Sequence, residues 1–424
     1  MWVIFTHHIM VEPTDLSFSD TPLPRILATS LQHSMTVSPV VAVMGARQTG
    51  KSTLVKHGCS DRGAMYLTLD DLDILDEARS NPDDLVRRFP VVILDEVQRA
   101  PDLVLAVKRA VDERREPGRF VLTGSANLLL MKEVADTLAG RVVYLTLAPL
   151  SRREQLGFGE VGAWDLLFRQ KPNEWLAALD NSEAPVEPWE DLAKRGGYPV
   201  PAYHLTSETD RDQWFASYVR TYLERDLANL SAVEHLANLR RLMHAAALRV
   251  GNLLNQTDLA RDVGLAPTTA QRYLRLLEIS YQLTLVPAYS VNRTKRLTKS
   301  PKIYWNDTGL ALHLAGETKP RGAHLENLIA SDLFAWRDTH VRRPEILYWR
   351  TTKGAEVDFV IEWEGELVGV EVKAARNVGN KDATHLKTFL AEYPEARGGL
   401  VLYGGDTSFR ISERVYALPW WKMI

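Results

Sequence analysis

With 424 residues, the chain is too long for one hydrophobic core and should divide into about two to four domains. Hydrophobic residues at 45% and charged residues at 25% give the balance of a soluble globular protein and exclude a disordered one. The single cysteine, Cys59, excludes an intramolecular disulfide or a cysteine-held zinc and suits a reducing cytoplasm, and the formal net charge of -3 does not announce a nucleic-acid binder.

Residues 1–24 read as an N-terminal extension, with Met10 an alternative start. The segment lacks the basic start and long apolar run of a signal peptide. No stretch approaches the roughly 20 apolar residues of a membrane span, so no membrane partner is expected.

Residues 25–156 read as a doubly wound α/β domain. Short β-branched runs at Val40–Met44, Met65–Leu69, Val91–Leu94, Phe120–Thr123 and Val142–Leu147 alternate with helical stretches. The first run is followed by Gly45-Ala46-Arg47-Gln48-Thr49-Gly50-Lys51-Ser52-Thr53, which fits G-x-x-x-x-G-K-[ST] in its required context of strand, loop and helix. Glycines allow backbone N–H groups to curl around phosphate oxygens, and the helix N-terminus adds a favourable dipole. Lys51 would reach the β/γ-phosphates of ATP and Ser52 would ligate Mg²⁺. The third run ends in Asp95-Glu96, where ligands bind in open α/β sheets. Asp95 is the expected Mg²⁺ ligand and Glu96 the general base. Thr123, Ser125 and Asn127 close the fourth run, with Ser125 expected at the γ-phosphate. Arg141 is a candidate finger on a neighbouring subunit's γ-phosphate, which would require a homo-oligomer.

Between Gly157 and Asp191 eight acidic residues face two basic ones, a net charge of -6. Residues 157–195 therefore read as an acidic insertion or linker, and 196–250 as a helical lid. Between Gly251 and Lys302 eight basic residues face three acidic ones, a net charge of +5. Gln256–Leu265 reads as a short helix and glycine turn, and Pro267 suits the first position of a second helix. Thr268, Thr269, Gln271, Arg272 and Arg275 would stud that helix, with Leu274 and Leu277 buried. The span 251–315 resembles a winged helix-turn-helix, with Arg293, Lys295 and Arg296 in its wing. That resemblance implies DNA as a partner, contacted by Arg272, Arg275, Arg293, Lys295 and Arg296.

The order of these motifs resembles the AAA+ superfamily. More narrowly, the chain resembles bacterial ATP-binding proteins with an AAA-type front and a poorly understood C-terminal domain. The residues that carry this are Leu122–Ser125, Leu138–Arg141, Pro149–Ser151, Gly196–Pro199, Thr221–Asp226 and Asn306–Leu310. Arg225 is a rival finger within that set.

In residues 316–424, Asp358 stands on one strand run and Glu371 and Lys373 on the next, on one face by strand alternation. This resembles the D…E-x-K core of the PD-(D/E)xK nucleases, with Glu326 on the preceding helix and Val357 where proline names the motif. The resemblance implies a restriction-endonuclease-like α/β domain with Asp358 and Glu371 as Mg²⁺ ligands and Lys373 activating water. The expected function is a cytoplasmic Mg²⁺-dependent ATPase coupled to DNA engagement, with metal-dependent cleavage as an added activity. The rivals are an ATP-switched regulator or scaffold whose C-terminal domain does not cleave, and a protein remodeller.

Overall fold

The computed structural model describes residues 22–124, 138–179, 187–223, 236–296 and 299–424. Ser125, Asn127 and Arg225 lie outside the described residues. No helix among those described is long and apolar enough to cross a membrane.

The front of the chain forms a five-stranded parallel sheet of β1 (Val40–Met44), β2 (Met65–Thr68), β3 (Val92–Asp95), β4 (Phe120–Thr123) and β5 (Val142–Thr146), in the order β2-β3-β4-β1-β5. All four pairings are parallel. The β1, β3 and β4 side chains are buried throughout, which is why these strands read as continuous apolar runs. Helices on both faces seal two apolar clusters, one with Leu103 and Val107, the other with Leu31 and Val55. β1 and β3 flank β4, so the loops at their C-terminal ends open on the same edge of the sheet.

The middle of the chain packs helices Leu236–Ala247, Gln256–Asp262 and Pro267–Ile279 beside an antiparallel ribbon of β6 (Leu283–Val286) and β7 (Lys302–Trp305). Leu274 and Leu277 are buried, while Thr268, Gln271, Arg272 and Arg275 are exposed.

The back of the chain is a six-stranded mixed sheet ordered β12-β13-β11-β10-β9-β8. Its strands are β8 (Glu345–Arg350), β9 (Glu356–Trp363), β10 (Glu366–Lys373), β11 (Gly398–Tyr403), β12 (Phe409–Ser412) and β13 (Val415–Pro419). β8, β9 and β10 form an antiparallel meander. The Thr384–Glu392 helix then crosses over to β11, parallel to β10. The Gly322–Asp338 helix packs on β7, β8 and β10.

The acidic tract is not a linker. Trp164, Leu167, Trp175 and Leu179 are buried in one apolar cluster with Ile329, Phe359 and Leu400 of the C-terminal domain. Asp165 of the tract accepts from Trp336 Nε1 at 2.7 Å and pairs with Arg169 at 2.6 Å. Trp164, Trp175 and Trp189 all enter that cluster, and the large apolar area such rings bury draws the tract back as part of a core.

Candidate functional site

The nucleotide loop has the backbone its motif requires. Gly45 sits at φ 150°, and a Cβ there would lie 2.4 Å from the Leu147 carbonyl oxygen. Gly50 at φ 89° opens the Lys51–Gly58 helix from the left-handed region, where a side chain is strained. Gln48 is also left-handed, at φ 63°. Lys51 is buried and its Nζ donates to the Gly45 and Ala46 carbonyls at 3.3 and 2.9 Å. The ammonium thus lies folded over the loop's own oxygens. Ser52 Oγ donates to Asp95 Oδ2 at 2.9 Å. The two residues assigned to Mg²⁺ therefore face one point, and the donor set fits that hard cation.

Asp95 is held from three sides, since Tyr66 Oη also donates to Oδ2 and Thr123 Oγ1 to Oδ1. Burial and the Asp95 carboxylate push the Tyr66 hydroxyl well above its ordinary value, so it stays a donor. Glu96 takes a left-handed backbone at φ 58°. That conformation costs a non-glycine residue on the order of 1 kcal/mol. Its carboxylate accepts from Gln98 Nε2.

Arg25 is a part of this site that the motifs did not reveal. Its Nη1 donates to the Thr49 carbonyl and its Nη2 to the Ala148 carbonyl, both at 2.6 Å. Its Nε pairs with Glu154 Oε1 at 2.9 Å, and both side chains are buried. Glu154 in turn completes a capping box with Ser151. Behind the loop, Ala46 belongs to the apolar cluster of the middle module, with Tyr198, Phe215, Tyr218, Leu274 and Trp305. Tyr218 Oη donates to the Arg47 carbonyl at 3.4 Å and lies 3.0 Å from Tyr198 Oη. Tyr198 Oη reaches Gln282, the residue before β6, at 3.3 Å.

Arg141 does not join this chain's own nucleotide site. It precedes β5, so it stands at the end of the parallel sheet opposite the phosphate loop, and its Nε pairs with Asp112 at 2.6 Å. Arg296 is likewise no surface contact. It is buried, with Nη1 at 2.6 Å from Glu345 and 2.7 Å from Glu362 and Nε donating to the Ser290 carbonyl at 2.8 Å. It fastens the ribbon's connecting segment to the C-terminal sheet. Arg293 is exposed but pairs with Glu362 at 3.2 Å. Arg272, Arg275 and Lys295 are exposed.

In the C-terminal domain Asp358 and Glu371 are buried side by side on β9 and β10, and Glu326 joins them from its helix. Burial and the neighbouring Asp358 raise Glu371 to about 8 and Glu326 to about 7. Lys373 Nζ pairs with Glu371 Oε1 at 2.5 Å. The expected metal, however, does not fit as the domain stands. Asp358 Oδ2 accepts from the Val372 N–H at 2.9 Å, and Oδ1 accepts from Lys302 Nζ at 2.9 Å. Lys302 comes from β7, is 1% exposed, and also meets Glu326 at 3.0 Å and Glu356 at 2.7 Å. Burial works against that ammonium, yet Tyr304, Asp358, Glu326 and Glu356 outweigh it and hold Lys302 well above the ordinary lysine value. Among the described residues no group of three His, Cys, Asp or Glu stands ready to hold a metal ion.

Comparison with known families finds an AAA domain over residues 37–156. Two domains of unknown function, DUF8612 and DUF4143, match residues 186–321 and 321–423. Uncharacterized proteins of Mycobacterium tuberculosis and Mycobacterium bovis are each 31% identical over 405 residues, covering 93% of this chain and 83% of theirs. Among solved structures, a Walker-type ATPase of Pyrococcus abyssi matches at 15% identity and a TM-score of 0.43, over 70% of this chain and 99% of that one. The chain belongs to one family with these mycobacterial proteins, and its residues 37–156 form an AAA domain.

Proposed function

We propose that this protein is a Mg²⁺-dependent ATPase whose nucleotide state is passed to a DNA-engaging winged helix-turn-helix in the middle of the chain. One observation supports the reading: Ser52 Oγ donates to Asp95 Oδ2, which ties the helix after the phosphate loop to the C-terminal end of β3, with Lys51 and Glu96 as their neighbours in sequence. Lys51 would leave the Gly45 and Ala46 carbonyls for the β/γ-phosphate oxygens. Ser52 and Asp95 would hold Mg²⁺, which when bound neutralises phosphate charge. Glu96 takes the proton of the water whose oxygen attacks the γ-phosphorus as the bond to the bridging oxygen breaks, releasing ADP and phosphate.

The link to the middle module is supported by Ala46, which shares that module's core, and by Tyr218, whose hydroxyl meets the Arg47 carbonyl. The exposed Arg272, Arg275 and Lys295 support DNA as the ligand, given the local charge of +5 between Gly251 and Lys302. Lys302 inside the carboxylate cluster favours a C-terminal domain that regulates over one that cleaves. Phosphate release and duplex-DNA affinity, each measured with ATP and with ADP, test the proposal. Hydrolysis by the wild type, none by Glu96→Gln, and DNA affinity that changes with nucleotide are expected. Absence of hydrolysis sinks the ATPase; equal affinity in every nucleotide state sinks the coupling.

A further inference from the structure

We propose that Lys302 is a built-in stopper: its ammonium takes the place of a divalent cation among Glu326, Glu356 and Asp358 and closes that cluster to metal while the β6–β7 ribbon is docked. This goes beyond the ATPase reading and does not depend on it.

The placement follows from strand geometry. Successive side chains of β7 point to opposite faces. Ile303 and Trp305 enter the core of the middle module, whereas Tyr304 belongs to the C-terminal core. Lys302 shares the Tyr304 face and is delivered into the neighbouring domain. The strand is stitched there: Trp305 N–H donates to Asn327 Oδ1 at 2.8 Å, Asn327 Nδ2 returns to the Trp305 carbonyl at 2.9 Å, and Tyr304 Oη donates to Glu326. Arg296 fastens the segment between the two strands to Glu345 and Glu362.

The cluster has the makings of a cation site apart from its occupant. Lys302 Nζ stands 2.7 to 3.0 Å from one oxygen on each of three carboxylates. A Mg²⁺ or Mn²⁺ ion at that point would need each oxygen to approach by roughly 0.7 Å, since such ions hold oxygens at about 2.1 Å. Next to them Glu371, 5% exposed, keeps Oε2 buried without a hydrogen-bond partner. Four carboxylates thus share two ammoniums, Lys302 and Lys373, and the Arg350 guanidinium that meets Glu356 at 3.2 Å. A buried carboxylate oxygen left over in such a group is costly, and it is the ligand a divalent ion would add.

Mn²⁺ binding to the full chain, followed by electron paramagnetic resonance without nucleotide and in an Asp95→Asn background, tests this. That background removes the carboxylate of the phosphate loop. The parent should show no saturable site. Lys302→Gln should gain one, at least about tenfold tighter than any residual binding, and should lose it again in Lys302→Gln/Asp358→Asn. Mn²⁺ should also raise the melting temperature of Lys302→Gln and leave that of the parent unchanged. If Lys302→Gln folds poorly without metal, Lys302→Met, which keeps the apolar stem and all the carboxylates, is the second variant and should gain the same Mn²⁺ site. A parent that already binds, a folded Lys302→Gln that binds no better, or failure of both variants to fold even in Mn²⁺ overturns the proposal.

Discussion

The Arg25 guanidinium reaches the Thr49 carbonyl of the phosphate loop with one nitrogen and the Glu154 carboxylate with another, at 2.6 and 2.9 Å. It braces the loop from behind against the segment that leads out of the parallel sheet. Only the planar fork of arginine can hold both partners and the Ala148 carbonyl together. Arg25→Met should weaken nucleotide binding by about tenfold and, by leaving Glu154 buried and unpaired, lower stability by roughly 3 kcal/mol. Glu154→Gln separates the two effects, because it keeps a partner for Arg25. Titration with a fluorescent ATP analogue should place it close to the wild type. Unchanged nucleotide affinity in Arg25→Met would show that the brace serves stability alone.

At the nucleotide site, Lys51→Ala should lose ATP binding and hydrolysis together. Glu96→Gln should bind ATP normally and turn it over at least about 100-fold more slowly. Ser52→Ala should need more Mg²⁺ for half-maximal rate, since its hydroxyl faces the Asp95 carboxylate. Steady-state phosphate release across a Mg²⁺ series reads all three. Turnover by Glu96→Gln equal to the wild type would remove Glu96 from the role of base.

The middle module separates exposed from buried arginines. Arg272→Ala/Arg275→Ala should lower duplex-DNA affinity and reduce the slope of log affinity against log salt by about two, one for each phosphate no longer neutralised. Arg296→Ala should leave that slope unchanged and lower the melting temperature, because Arg296 is buried between Glu345 and Glu362. Binding isotherms between low and moderate salt check both. A slope that follows Arg296 instead would mean that the ribbon undocks when DNA binds.

Much of the front of the chain was legible because parallel strands are buried on both faces, so β1, β3 and β4 appear as unbroken apolar runs. The loop between β1 and its helix is legible because glycines and Lys51 have few other uses at that spacing. That Arg141 stands away from this chain's own phosphate loop was also legible, since it precedes a parallel strand. The place of Lys302 was not. A lysine opening a strand within a basic segment suggests a phosphate contact, and nothing local shows that Glu326, Glu356 and Asp358 enclose it. Arg25 belongs to no motif, and its partners Thr49, Ala148 and Glu154 are distant along the chain. In the acidic tract, counting charge hid what Trp164 and Trp175 do, which is to fill the C-terminal core.

Asp332 offers a test of how that tract is held. It sits buried on the Gly322–Asp338 helix and accepts from Trp164 Nε1 at 2.6 Å. Burial raises its carboxyl from 3.8 to about 7, against the pull of the Trp164 hydrogen bond and of Arg153 and Arg152. The sign of the pH effect follows. Between those two values the folded chain keeps a proton that the unfolded chain has lost, so stability falls as pH rises through the window. Each pH unit there is worth about 1.4 kcal/mol for this group. Asp332→Asn keeps an acceptor for the indole N–H and removes the buried charge. It should therefore be roughly 2–4 kcal/mol more stable than the wild type at pH 8 and nearly equal to it at pH 4. Urea unfolding followed by tryptophan fluorescence across that range measures the difference. A constant gap between the two proteins at all pH values would show that Asp332 does not titrate in the window, and that Trp164 is held by a carboxylate charged throughout.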